Sequence, residues 1–443
     1  MSYIRGEGRS QGTLFPVVLD DLVPADHVCR VIDAFVDRLA MKELEFERAE
    51  AAETGRPGYD PRDLLKLYLY GYLHQLRSSR RLEAECRRNV ELMWLLERLY
   101  PDHKSIAEFG RMHRDAVTAV GAELVRFARS CGLIRGEWVA IDGTKFRAVA
   151  SANSVLERQA LEKYLNSMEK ADADEQATID PSAVQAALEK LKHHPEPEAR
   201  FMRTGEGTAP AYNVQTAVDA EHALIVAQQV TTETNDERSL LPMAEAAQQA
   251  LGHPAELHVV ADAGYSNGEH AEACENRGVL PHAPTQRAIN NQGDGTLFDR
   301  SQFRYDQHTD SFRCPAGQKL VRKQLSRKDR CVMYAAEPQV CGACPLQARC
   351  TTASRRWVTR HMHEAALQRM QQRATPDTMR LRRSTVEHPF AALKYHIFGH
   401  PRLLLRGLHG ARTEISLATM AYNLKRMINV LGCAALTRVL LPA

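Results

Sequence analysis

Three acidic residues far apart in the sequence, Asp142, Asp262 and Glu387, stand where carboxylates can serve metal-dependent chemistry. Asp142 closes the short apolar run EWVAID (137–142) just before Gly143, and Asp262 follows a second such run, ELHVVA. Hard cations such as Mg²⁺ take oxygen ligands, so a protein that uses them must gather acids from distant points. Two such ions about 4 Å apart can activate an attacking oxygen and stabilise a leaving one during phosphodiester cleavage. If the two apolar runs are neighbouring strands, their carboxyl ends bring both aspartates to one edge of a sheet. An aspartate at a strand end also serves simply as a turn former.

Glu387 lies in RRSTVEHPFAALKYHIFGH, with Arg383 four residues before it and Lys394 seven after. In a continuous helix these offsets align Arg383, Glu387, Phe390 and Lys394 on one stripe. That stripe is either a structural ion-pair cluster or a place where metal and phosphate are held together. Pro389 disturbs a helix interior, and the pattern accommodates it if Thr385 is the N-cap, so that the proline falls in the first turn. His388 points about 100° away from its neighbour and is not counted as a ligand. Lys145, three residues past Asp142, is either a phosphate contact or an exposed turn lysine.

Five of the ten cysteines fall between 314 and 350. Cys341 and Cys344 form a two-residue-spaced pair, and with Cys314 and Cys350 they make a candidate tetrahedral set for structural zinc, with Cys331 as a substitute. The alternative is reduced cysteines packed as small apolar residues.

The elements that must position these groups change along the chain. Residues 1–130 read as helical: DLLKLYLYGYLHQL and VELMWLLERLY have apolar residues at helical spacing, and Asp60-Pro61 supplies a cap and a first-turn proline. A basic knot here, Arg77, Arg80, Arg81, Arg87 and Arg88, fits a small DNA-binding domain. From 131 to 284 the order is strand (137–142), strand (211–218), strand (223–230), helix (239–251), strand (256–261), helix (266–278) and strand (VLPHAP). This order predicts an α/β fold with a ribonuclease H-like mixed sheet. Residues 152–203, rich in Ala, Glu, Lys and Leu around the breaker Asp180-Pro181, predict a helical insertion. Residues 285–360 form a cysteine-rich insertion, and 375–432 a closing helical part of the catalytic core.

The net charge of +3 hides an uneven distribution: between Arg355 and Arg426 stand 14 Lys or Arg against 4 Asp or Glu. Such a stretch is either a phosphate-binding surface or a solvated helical face. The sequence has no apolar run long enough for a membrane span, and its first twenty residues lack the pattern of a signal peptide, so a cytoplasmic protein is expected.

In their order, SSRRLEAECRRN, PDHKSIAEF, DGTKFRA, AYNVQTAVD, ADAGY, the cysteine insertion, VEHPFAALK and AYNLKRM resemble the DDE transposases of bacterial insertion sequences. The resemblance is specifically to the group with a Tyr, Arg, Glu, Lys signature on the glutamate helix. Arg383, Glu387 and Lys394 match the last three places, whereas Arg380 stands where the tyrosine would be. The resemblance implies that Asp142, Asp262 and Glu387 hold two Mg²⁺ or Mn²⁺ ions. It also implies that water cuts double-stranded DNA at terminal inverted repeats and that the freed 3′-hydroxyl attacks target DNA. Arg380, Arg383, Lys394 and Lys145 become candidate DNA contacts. Because two DNA ends must be handled together, a homodimer on DNA is expected.

Overall fold

The apolar run that opens the catalytic region does not stop at Asp142. In the computed structural model, which describes residues 18–50, 58–169, 181–194, 196–284, 297–327 and 330–441, strand β1 extends through Trp138–Arg147, so Asp142 sits in mid-strand. Its second half, DGTKFR, pairs antiparallel with β3 (Gly207–Asp219), a partner that keeps the ladder going beyond the apolar stretch. A further strand, β2 (Arg200–Thr204), forms where the helical insertion was expected to end, and it pairs with the first half of β3. β4 (Ile225–Thr231) pairs with the second half of β3.

On the other side of β1 the sheet turns parallel. β5 (Leu257–Val260) lies beside β1, and β6 (Val279–His282) lies beside β5. Helix Leu240–Ala250 connects β4 to β5, and helix Gly268–Glu275 connects β5 to β6. The order β2-β3-β1-β5-β6, with β4 also on β3, is a mixed sheet of the ribonuclease H-like kind. Parallel strands need crossover helices, and these two helices supply them.

The N-terminal helices do not fold apart from this sheet. One continuous core joins Leu65, Leu67 and Leu69 of helix Pro61–Leu73 with Val139 and Ile141 of β1 and with Ile415 and Leu424 of helix Gly407–Leu431. Arg77 helps to lock the contact. It pairs with the buried Glu414 at 3.0 Å, donates to the carbonyls of Phe398 and Arg402, and stacks over the Phe398 ring at 4.5 Å. Arg77 therefore leaves the expected basic knot, while Arg80, Arg81, Arg87 and Arg88 stay exposed.

Two helices of the insertion, Ala152–Glu169 and Pro181–Lys192, pack on each other; the breaker Asp180 lies outside the described residues. The cysteine-rich insertion builds a separate five-stranded antiparallel sheet, β7 (Arg304–Asp306), β8 (Ser311–Arg313), β9 (Lys319–Ser326), β10 (Cys331–Ala335) and β11 (Trp357–His361). It has a small core of its own around Phe303, Phe312 and Tyr334.

Candidate active site

The register of the two parallel strands sets the acid pair. Ala140 of β1 faces Val260 of β5, so Asp142 and Asp262 each stand two residues beyond the same rung. Alternation along a strand keeps residues two apart on one face. Val386 packs onto that face against Ala140 and Val260, fixing the glutamate helix above the acids.

Asp142 accepts from the Gly143 amide at 2.9 Å. Asp262 caps the short turn Ala263–Tyr265 and accepts from the Gly264 amide at 2.8 Å. The guanidinium of Arg382 bridges the two, with one nitrogen 2.9 Å from Asp142 and 3.4 Å from Asp262. Burial pushes the Asp142 carboxyl up to about 6, against the pull of Arg382, and the nearby Asp262 and Asp236 add to the rise.

The glutamate helix spans Pro376–Ala391, longer than the expected start at Thr385. Its cap is Thr375, which accepts from the Thr378 amide, and Pro376 takes the first position. Thr385 lies in mid-helix and donates back to the Leu381 carbonyl, so Arg383 lies inside the helix. Pro389 is absorbed near the end, where the chain widens into a π-helical stretch, Ala392–Ile397. Such widening re-houses a broken ladder.

This helix distributes the candidate residues unequally. Val386 faces the sheet, so Arg382, one turn earlier, lies on the same side and reaches the acids. Lys394 is half-buried in the π-helical stretch; burial lowers its ammonium, and the negative charge of Asp142 opposes that shift. Asp142 thus interacts with cations on both sides of Glu387. Glu387 itself is exposed, and among the described residues no hydrogen bond or ion pair joins it to either aspartate. Arg383 is exposed and donates to the Met379 carbonyl, while Arg380 is exposed and pairs with Asp377.

Lys145 goes elsewhere. Three residues from Asp142, it falls on the opposite face of β1 and pairs with Asp236 at 3.2 Å. The same Asp236 oxygen accepts from Asn213 at 2.7 Å and Gln215 at 2.6 Å. The hydroxyl of the buried Tyr265 donates to Gln215 in turn. This network backs the acid pair from behind, and Gly143 makes room for it: a Cβ there would lie 2.3 Å from the Gln215 amide nitrogen.

Arg382 is the functional candidate that spacing alone does not single out, because the one-stripe argument favours its neighbour Arg383. The available signal was Val386, an apolar residue four positions later that must face the sheet.

Cys314, Cys341, Cys344 and Cys350 line one cavity of about 30 Å³ in the smaller sheet. Burial raises the Cys350 thiol, and the other three sulfurs add to the rise. Cys331 lies on β10 opposite His361, outside that lining.

Among the described residues no helix is long and apolar enough to cross a membrane. Residues 17–111 match a transposase domain family (DUF772), and residues 139–424 match the transposase DDE domain. No curated protein matches the sequence. Among solved structures, a piggyBac transposase synaptic complex with hairpin DNA is similar at 9% identity and a TM-score of 0.34, over 93% of this chain and 78% of that one. With the DDE domain spanning well over half of its length, the chain belongs to the insertion-sequence DDE transposases.

Proposed function

We propose that this transposase binds the terminal inverted repeats of its element as double-stranded DNA, cuts there, and transfers the ends to target DNA. The observation that carries the reading is the pairing of Ala140 with Val260, which puts two carboxylates side by side with a single arginine between them.

The donor set fits a divalent metal. Asp142 and Asp262 offer hard oxygens, and their mutual repulsion calls for a cation. Mg²⁺ or Mn²⁺ bound there would supply Lewis-acid activation of the attacking and leaving oxygens. Glu387 is the third carboxylate of this reading. Its exposure leaves its oxygens uncommitted, and it lies on the helix between Arg382 and Lys394. Asp236 is the weaker choice, because one of its oxygens already serves three donors.

The remaining residues hold DNA. Lys394 and Arg382 sit at the acids, where their charges orient a phosphate. Arg383 and Arg380 extend the cationic surface along the exposed flank of the helix. Lys145 acts through Asp236 and steadies the strand that carries Asp142. Two ends are processed together, so the working species is a homodimer on DNA, in the cytoplasm. Cys314, Cys341, Cys344 and Cys350 hold a structural zinc ion: Cys341 and Cys344 share one turn, all four line one cavity, and thiolates form the soft set that zinc prefers.

Glu387→Gln tests the reading. Cleavage of DNA carrying the inverted repeats that flank the coding sequence should drop by at least a hundredfold in Mg²⁺, while DNA binding persists. Cleavage at the wild-type rate would remove Glu387 from the site.

A further inference from the structure

A second cavity, of about 280 Å³, lies where helix Arg114–Ser130, helix Gly407–Leu431 and the edge of β4 meet. Its lining includes Arg114, Thr118, Gln228, His409, Arg412 and Ser416.

The floor is a closed polar network. Gln228 donates to Ser416 at 2.6 Å, and Ser416 shares a hydrogen bond of 3.2 Å with Thr118. The mouth is cationic. Arg412 and His409 are exposed, and neither they nor Arg114 has a carboxylate partner among the described residues. The Arg114 Nε is buried and without a hydrogen-bond partner. One acid, Asp115, stands at the rim and is exposed.

The two helices add to the field. Thr118 meets Ser416 and, further along, Gly121 lies against Met420, so the helices run parallel. Both therefore start near this cavity, one at Arg114 and the other at Gly407. Helix N-termini carry partial positive charge and free amides, and here two of them accompany two arginines. The site is built for an anion.

Its position says which one. Asp142 faces Thr216 on β3, and Thr216 faces Gln228 on β4, so the cavity floor shares a rung with the catalytic aspartate. Two strand spacings separate them, about 10 Å. Successive phosphates of one DNA strand turn about the axis as well as advancing about 3.4 Å along it, so a straight span of about 10 Å reaches the next phosphate or two.

The geometry points to a second phosphate subsite: Arg114 and Arg412 clasp the backbone of the same DNA about one to two nucleotides from the bond that is cut. This inference rests on the proposed function and adds a contact to it.

The test measures binding of the full chain to a short labelled DNA duplex across a range of salt concentrations. Arg114→Gln and Arg412→Gln are made singly and together, with Arg438→Gln as a charge-loss control on a different helix. Each cavity substitution should flatten the slope of log affinity against log salt by about 0.9, and the double variant should bind about tenfold more weakly at low salt. The control should leave the slope unchanged. If the double variant fails to fold, Arg412→Gln at its exposed position carries the test alone.

A wild-type slope and affinity in folded cavity variants overturns the subsite. So does a cavity that answers only to a free anion, seen as a melting shift with inorganic phosphate that the variants lose while DNA binding is unaltered. If Asp142→Asn binds DNA but no longer cuts it while the cavity variants bind like wild type, the subsite fails and the function stands. If the wild-type chain does not bind DNA, both fall.

Discussion

Arg382 and Asp142, 2.9 Å apart, form the ion pair at the centre of the site, and the same guanidinium reaches Asp262. An arginine in this place balances two acids in the absence of another cation and competes with any metal that enters. Arg382→Ala should therefore cost stability in metal-free buffer, by about 1–2 kcal/mol given the partial exposure of Asp262. It should also enlarge the rise in melting temperature produced by Mn²⁺, because a competitor is gone. Thermal melts with and without MnCl₂ check both. An unchanged Mn²⁺ shift would mean that the arginine and the metal do not share the acids.

Gly143 carries the backbone amide that Asp142 accepts from, and its missing side chain leaves room for Gln215 and Asp236. A Cβ would fall 2.3 Å from the Gln215 amide nitrogen and 2.8 Å from an Asp236 oxygen. Gly143→Ala should destabilise the fold by about 1–3 kcal/mol. Gln215→Ala in the same chain should recover part of that loss. Chemical denaturation of the two single variants and the double variant reads the coupling, and strict additivity would refute the steric account.

What the sequence makes legible follows the range of the forces involved. Apolar runs and their order reveal the sheet, because burial dictates local patterning. They do not reveal that β1 continues past Asp142, since DGTKFR is held by pairing with β3 rather than by its own composition. Cap chemistry near Glu387 misleads in the same way: Thr385 reads as a helix start, yet Thr375-Pro376 is the real one and Pro389 is tolerated by a π-helical widening. The acid pair is visible from strand ends. Arg382 is not, because its partners lie 120 and 240 residues away in sequence and only the seating of Val386 reveals the face it occupies. Arg77 shows the converse, a residue that looks like a DNA contact and is consumed by a buried glutamate.

His282 gives the sheet a pH dependence of defined sign. It is buried on β6, with its rings packed beside His258 and Trp138 and its Nδ1 bonded to the Arg373 carbonyl. Burial lowers its imidazole to about 4, against the pull of the hydrogen bond to the Arg373 carbonyl, and the charges of His258 and the Arg373 guanidinium add to the fall. The folded state thus resists a proton that the unfolded chain accepts near pH 6.5. Stability from this residue is complete above about pH 6.5 and is lost as the pH falls toward 4, by up to about 3 kcal/mol. The difference in melting temperature between wild type and His282→Gln should shrink across that window and stay level above it. A difference independent of pH between 4 and 7 would contradict the assignment.

The small sheet β7–β11 should depend on its thiols more than the main fold does. Its core has few large side chains, chiefly Phe298, Phe303, Phe312 and Tyr334, and a core of that size supplies little net stability without a staple. With zinc on Cys314, Cys341, Cys344 and Cys350, binding energy becomes local folding energy. Removing the metal with a strong chelator should open residues 297–363 to protease while the ribonuclease H-like core, which is continuous with the N-terminal helices, remains resistant. Cys344→Ser should do the same without chelator, and the purified wild-type chain should carry about one zinc per molecule by elemental analysis. Cys331→Ser should leave zinc content unchanged, because Cys331 sits outside the cavity. A chain purified without zinc whose protease pattern is indifferent to chelator would show that the four thiols are packing groups.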